Sequence, residues 1–173
     1  MLFTQKLTIM KKNVLAIIAL ALLFTSISID AQKNTNLEKN KDLIKVYNED
    51  FWNKQNIDAF EKYYSADFII HFADGDLNVE QYKGLCQAYF AAFPDIHVTT
   101  DLLVAEGDKV TKVWTVNATS KGDFMGIPAT GKPMIIKGIE VFRIAEGKIA
   151  ELWASMDNLG MLQQLGVIPP MGE

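Results

Sequence analysis

The sequence predicts an α+β domain in which helices come first and a long antiparallel sheet follows, with the helices packed on one face of that sheet. Three observations carry this expectation. From Leu37 to Phe51 and again from Val79 to Phe93 apolar residues recur mostly at intervals of three and four, the period of a helix. After Pro94 they recur at every second position, the period of a strand, and Gly107-Asp108 and Glu146-Gly147 divide that stretch into hairpins. At 173 residues and 49% hydrophobic, with 11 Gly, 5 Pro and 1 Cys, the chain has the composition of one globular domain with neither a disulfide scaffold nor disorder.

Thr35 and Glu38 form a capping-box pattern ahead of Leu37, Leu43, Ile44, Tyr47 and Phe51, which predicts a first helix over Leu37–Trp52. Asn53 to Asn56 interrupt it, and Ile57, Phe60 and Tyr64 mark a short second helix. The compact run Phe68–Phe72 reads as a strand ended by Asp74, Gly75 and Asp76. Asn78 opens the clearest helix, whose apolar face carries Val79, Tyr82, Leu85, Cys86, Tyr89, Phe90 and Phe93 before Pro94 stops it. Cys86 reads there as a small buried hydrophobe. Strands are expected over Ile96–Glu106, Val110–Ser120, Met134–Ala145 and Ile149–Asp157, with a last short helix over Leu159–Leu165.

The amino-terminal segment is read separately. Lys6, Lys11 and Lys12 precede an apolar run from Val14 to Phe24, and small residues lead to Ala31. This is the pattern of a secretory signal over residues 1–31, cleaved near Ala31, with residues 32–173 as the exported domain. Met10, followed by two lysines, is an alternative start to Met1, and a retained amino-terminal anchor is the alternative fate. The apolar run covers about half of a ~30 Å hydrocarbon core, so no membrane association is expected once it is removed. Residues 32–173 hold 14 basic and 20 acidic side chains, net −6.

Charge excludes one class of partner. Of 17 basic side chains in the whole chain only Arg143 is an arginine, against 21 acidic ones. A nucleic-acid binder needs a cationic face and arginine forks, and this sequence has neither. His71 and His97 are the only histidines and stand in no Cys/His cluster, so no metal site is expected.

An open, curved sheet with helices on its concave face encloses a pocket, and such pockets are apolar with a few polar groups. Pairing Ala145 with Lys148 across Glu146-Gly147 puts Glu140, Phe142 and Ile144 on one face with Ile149, Glu151, Trp153, Ser155 and Asp157. The opposite face carries Val141, Arg143, Ala150, Leu152, Ala154 and Met156, apolar enough to predict a homodimer. Two readings of Asp157 follow. A desolvated carboxyl in the pocket has a raised pKa and suits acid–base work; alternatively, Asp157 caps the last helix through the amides of Leu159 or Gly160.

Three segments carry a resemblance. Gly122-Asp123-Phe124-Met125-Gly126-Ile127-Pro128-Ala129-Thr130-Gly131-Lys132, the run from Gly138 to Trp153, and the ending from Asp157-Asn158-Leu159-Gly160 to Gly166 together resemble the SnoaL-like polyketide cyclase (ester cyclase) family. The resemblance implies the cone-shaped α+β fold shared with nuclear transport factor 2: a curved, mainly antiparallel sheet wrapped around three amino-terminal helices, enclosing an apolar pocket. It implies an intramolecular aldol closure of a small apolar carbonyl or ester compound, without metal or organic cofactor, with Asp157 as the acid–base. His71, Trp153, Glu140, Phe142 and Tyr89 are the candidate substrate-binding residues, Glu140 being a second carboxylate. Many relatives carry Thr-His ahead of the loop glycine; here Thr119 and Ser120 stand there, followed by Lys121. Three activities stay open: a cyclase, an isomerase or dehydratase on the same scaffold, and an exported module that binds a small apolar ligand without catalysis.

Overall fold

Residues 39–47 are helical (α1) and continue without a break into a π-helical turn, Asn48–Asn53. The computed structural model describes residues 33–169; the proposed signal segment lies outside the described residues. The chain divides into units Met1–Glu38 and Lys39–Glu173. Of the first only residues 33–38 are described, and they are helical. Everything that follows belongs to the second.

The wider π turn closes on i→i−5 bonds, Lys54 N to Glu49 O at 3.2 Å and Asn56 N to Phe51 O at 3.0 Å. It brings Asn48, Phe51 and Trp52 to the buried side together. A 3₁₀ turn, Ile57–Ala59, leads into a single helical turn, Phe60–Tyr63 (α2). Tyr64, expected at the end of that helix, instead begins strand β1, Tyr64–Phe72. A two-residue turn, Ala73-Asp74, then joins β1 to a short strand β2, Gly75–Asn78. Asp74, Gly75 and Asp76 thus end β1 as expected, but Gly75 and Asp76 also begin a strand that the sequence pattern does not show, because four residues with three polar or glycine positions have no alternation. Helix α3, Val79–Ala92, starts with a complete capping box: Asn78 Oδ1 accepts from Gln81 N, and Asn78 N donates to Gln81 Oε1, both at 3.0 Å.

The remaining strands are β3, His97–Glu106; β4, Lys109–Thr119; β5, Pro133–Ala145; and β6, Lys148–Met156; helix α4, Asn158–Leu165, ends the fold. One six-stranded sheet runs in the order β2-β1-β6-β5-β4-β3 and does not close. All pairings are antiparallel except β1 with β6. Register shifts at Tyr64/Ile69, Thr100/Leu102 and Arg143/Ile144 bend the strands and curve the sheet.

The core fills the concave side. Tyr47, Phe51, Phe60, Tyr64, Phe68 and Phe142 are at most 2% exposed, and their rings meet edge-on or stacked at centroid distances of 4.4–6.0 Å. Aromatic pairs in such geometry add about 0.5–1.5 kcal/mol each beyond the area they bury. Cys86 is fully buried among them. The hydroxyls of this cluster are satisfied internally: Trp52 Nε1 donates to Tyr47 OH at 2.6 Å, and Tyr47 OH is hydrogen-bonded to Tyr64 OH.

The β5–β6 hairpin corrects the face assignment. Ala145 does pair with Lys148, and Glu146 and Gly147 both have positive φ, as a two-residue hairpin turn demands. Ala150 is then an extra, unpaired residue: Ile144 pairs with Ile149, but Arg143 pairs with Glu151. Beyond this bulge β6 is turned over relative to strict alternation. Leu152, Ala154 and Met156 join Glu140 and Phe142 on the concave face; Trp153 and Ser155 join Val141 and Arg143 on the convex one.

Candidate active site

Between the helices and the concave face lies a cavity of about 70 Å³. Trp52 of the π turn, Tyr82, Leu85 and Tyr89 of α3, and inward residues of β1 and β3–β6 form its wall. That wall is apolar with two charged exceptions, Lys112 and Glu140.

These two stand directly opposite each other on β4 and β5. Lys112 Nζ lies 2.9 Å from Glu140 Oε2, with the side chains 1% and 9% exposed. The approach is an ion pair without hydrogen-bond alignment, and Oε2 has no hydrogen-bond partner among the described residues. Lys112 is held from the other side by Asn48, whose Oδ1 accepts from Nζ at 3.3 Å and whose Nδ2 donates to Val98 O at 2.8 Å. The π turn therefore reaches the charged pair through Asn48. Nζ also lies 5.5 Å from the Phe142 ring centroid and 5.8 Å from that of Tyr47. Burial, reinforced by Glu140, pushes the Tyr47 phenol well above its usual range. A charge pair so fully withdrawn from water is expensive to maintain, which makes its place at the cavity a functional feature to explain.

Two residues along, on the same face, Trp114 stands opposite Gly138. The indole is 7% exposed, and its Nε1 has no partner among the described residues. Tyr89 lies on the rim: its OH donates toward Met156 Sδ at 3.8 Å, and burial pushes its phenol up to about 12, so it stays protonated as a donor. The cavity shares Phe72, Leu85, Tyr89, Ala154, Met156 and Met161 with a wide groove outside, which Phe124, Met125 and Ile127 of the β4–β5 loop also border.

The structure thus brings Glu140 and Tyr89 together at the cavity and puts Phe142 just behind it, fully buried in the core. His71 and Trp153 stand elsewhere. They pair in register on the convex face, where their rings stack at 4.9 Å, His71 Nδ1 lies 2.9 Å from Asp76 Oδ1, and both border the outer groove. The bulge at Ala150 is the physical reason for Trp153. Asp157 is not the desolvated carboxyl expected: it is exposed, lies outside the cavity wall and caps α4, accepting from Gly160 N at 2.8 Å. Ser120, at the place of the relatives' histidine, is buried, and its Oγ accepts from Thr130 N at 3.1 Å to brace the loop.

Lys112, Trp114 and Asn48 were not among the candidates read from sequence. Lys112 had a visible signal: it falls in phase with Val110, Trp114, Val116 and Ala118, so strict alternation in β4 already turns a lysine inward. Asn48 had none, because its direction depends on the π turn.

The model of the SnoaL-like polyketide cyclase family matches residues 42–165. The chain belongs to that family. Among solved structures it is similar to a candidate polyketide cyclase from Acidithiobacillus ferrooxidans, at 32% identity and a TM-score of 0.67 over 75% of this chain and 95% of the other. It is also similar to IdmH, a candidate polyketide cyclase from Streptomyces antibioticus (30% identity, TM-score 0.64, 73% of this chain and 98% of the other). AclR from Streptomyces galilaeus, assigned as a candidate hydroxylase, superposes with a TM-score of 0.73 at 26% identity, over 79% of this chain and 87% of the other. No curated protein matches. The open six-stranded sheet with helices on its concave side is the cone fold of nuclear transport factor 2 that these SnoaL-like cyclases share.

Proposed function

We propose that this SnoaL-like protein is a cofactor-independent acid–base enzyme of the aldol-cyclase type, acting on a small, largely apolar carbonyl or ester compound held in the cavity. The observation that supports this reading is the Glu140 carboxylate, buried on an otherwise apolar cavity wall with Lys112 as its counter-ion. In the reaction, Glu140 takes a proton from the carbon beside a carbonyl. The C–H electron pair becomes the enolate double bond, and the carbonyl oxygen takes the charge. The enolate carbon then forms a bond to a second carbonyl carbon of the same molecule, whose oxygen recovers the proton from Glu140. Lys112 supplies positive charge where the oxyanion develops, in a site dry enough for it to matter. Holding both carbonyls within one cavity supplies much of the remaining acceleration.

The test is a thermal-shift screen of apolar ketones and esters, followed by turnover of the hits in wild type and Glu140→Gln. Loss of about 10²-fold or more in the variant is expected. One observation favours a second reading, an exported binding module without catalysis: Asp157, which matches the family's acid–base aspartate, is occupied as an exposed cap. Ligand binding with no turnover in either protein would establish that reading instead.

We propose further that the protein is exported after cleavage near Ala31, which amino-terminal sequencing of exported material checks. It is also proposed to be a homodimer through the convex sheet face. Leu102, Val104, Ile139 and Trp153, all on that face, are 53%, 55%, 45% and 37% exposed. Sedimentation as a monomer at micromolar concentration would refute the dimer.

A further inference from the structure

We infer that the Trp114 Nε1–H is the hydrogen-bond donor that anchors a ligand's carbonyl oxygen beside Glu140, and that Gly138 is the residue that puts it there. This deepens the proposed function and rests on it for the class of ligand.

Four residues make the unit. Lys112 and Trp114 on β4 stand opposite Glu140 and Gly138 on β5, and all four lie on the concave face. Lys112, Trp114 and Glu140 line the cavity, and none of them borders the outer groove. Of the chain's three tryptophans, Trp52 and Trp153 have their surroundings accounted for: the first donates to Tyr47 OH, and the second is partly exposed on the convex face. Trp114 Nε1 is withdrawn from solvent with no acceptor among the described residues. Buried donors are nearly always paired, so an orphan on a cavity wall points to an acceptor that arrives with a ligand.

Gly138 explains the indole's position. A glycine inside a strand is weakening and marks a close approach by something else. Its φ is not in the left-handed region, so the backbone does not require glycine there. A Cβ at Gly138 would lie 2.7 Å from Trp114 Cε2 and Cη2 and closer still to Cζ2. The indole occupies the space that any side chain at 138 would fill, and Nε1 is bonded to Cε2, on the same edge of the ring. The glycine thus sets the ring's position next to the Lys112–Glu140 pair.

The cavity therefore holds an unmet donor, Trp114 Nε1, next to a buried carboxylate, Glu140, whose Oε2 is ion-paired with Lys112, on neighbouring strands. The complementary ligand has a carbonyl oxygen for the indole and an adjacent acidic C–H for the carboxylate. A hydrocarbon of the same shape satisfies neither.

The experiment uses ¹⁵N-labelled protein, in which each tryptophan gives one indole N–H cross-peak, assigned by single Trp→Phe variants. The probes are 2-octanone and 2-methyl-1-octene, which replaces C=O by C=CH₂. A downfield proton shift of the Trp114 peak with the ketone and not with the alkene is expected. So is an approximately tenfold tighter affinity for the ketone. That preference should vanish in Trp114→Phe and fall in Gly138→Ala. Equal shifts from both probes, no shift at the solubility limit of the ketone, or a preference intact in Trp114→Phe would overturn the inference. Glu140→Gln separates the two proposals. If the ketone still shifts the Trp114 peak while turnover is unchanged by that substitution, the acid–base reading fails and the anchor stands.

Discussion

Lys112 and Glu140 face each other across β4 and β5 at 2.9 Å, almost wholly out of water, in a cavity wall that is otherwise apolar. Removing one partner leaves the other as an uncompensated buried charge. Lys112→Met is accordingly expected to destabilise the protein by about 3–5 kcal/mol, and Lys112→Met with Glu140→Leu by much less, since an apolar pair of similar volume needs no compensation. Urea denaturation of the two single variants and the double variant measures the coupling. Additive losses would show that the two charges do not depend on each other.

Asp157 gives a prediction of opposite kind. Asparagine caps a helix as well as aspartate does, so Asp157→Asn should leave both stability and turnover nearly unchanged, whereas Asp157→Ala should cost about 0.5–2 kcal/mol. Thermal unfolding and kinetics on the same samples check this. A Cβ at Gly160 would lie 2.7 Å from Asp157 Cγ, so Gly160→Ala should reproduce the loss by displacing the cap. Turnover abolished in Asp157→Asn would return the aspartate to the chemistry.

Much of the fold was legible because period and punctuation agree: the helix start at Asn78, Pro94 after α3 and the turn at Glu146-Gly147 all lie where the pattern put them, whereas Thr35 and Glu38, read as a capping box, lie among residues that are already helical. The site was legible only in part, for one local reason. Ala150 inserts a single residue into β6, and alternation read from the turn is out of phase beyond it. Glu140, on β5, kept its inward direction; Trp153, beyond the bulge, lost it. Asn48 was hidden in a comparable way, because a π turn changes which side of a helix a residue faces. In each case the direction depends on the geometry of a few backbone hydrogen bonds and not on residue type.

Asp50 supplies the acid response. Hydrogen bonds from Lys62 Nζ and Tyr63 OH, both at 2.7 Å, hold its carboxyl down at about 2 and tie the π turn to α2. A carboxyl whose pKa is lowered on folding adds stability that is full above its unfolded value near 4 and is lost as pH falls toward 2. Asp50→Asn should therefore be less stable than wild type at pH 7 and should show a shallower decline between about pH 4 and 2. Parallel denaturation curves over that window would contradict this.

The β4–β5 loop is pinned where Lys121 N and Gly122 N both donate to Ala92 O at 2.9 Å. A Cβ at Gly122 would lie 2.6 Å from Ala91 O, which is backbone and cannot step aside. Gly122→Ala is expected to cost about 1–3 kcal/mol and to speed amide exchange at Lys121 and Gly122. Phe124, packed on Tyr89 at 4.6 Å and on Phe93 at 5.3 Å, should lose order with it. Unaltered exchange at both amides would rule out the pinning.

The parallel pairing of Ile70 with Leu152 joins the earliest strand to the last. During synthesis β1 and β2 must wait, unpaired on one edge, until nearly the whole polypeptide has left the ribosome, because their permanent neighbour is made last. Such long-range closure slows folding and exposes strand edges to wrong partners in the meantime. A chain shortened before β6 would lose more than its carboxyl end, since it would leave the β1–β2 hairpin with no sheet to join.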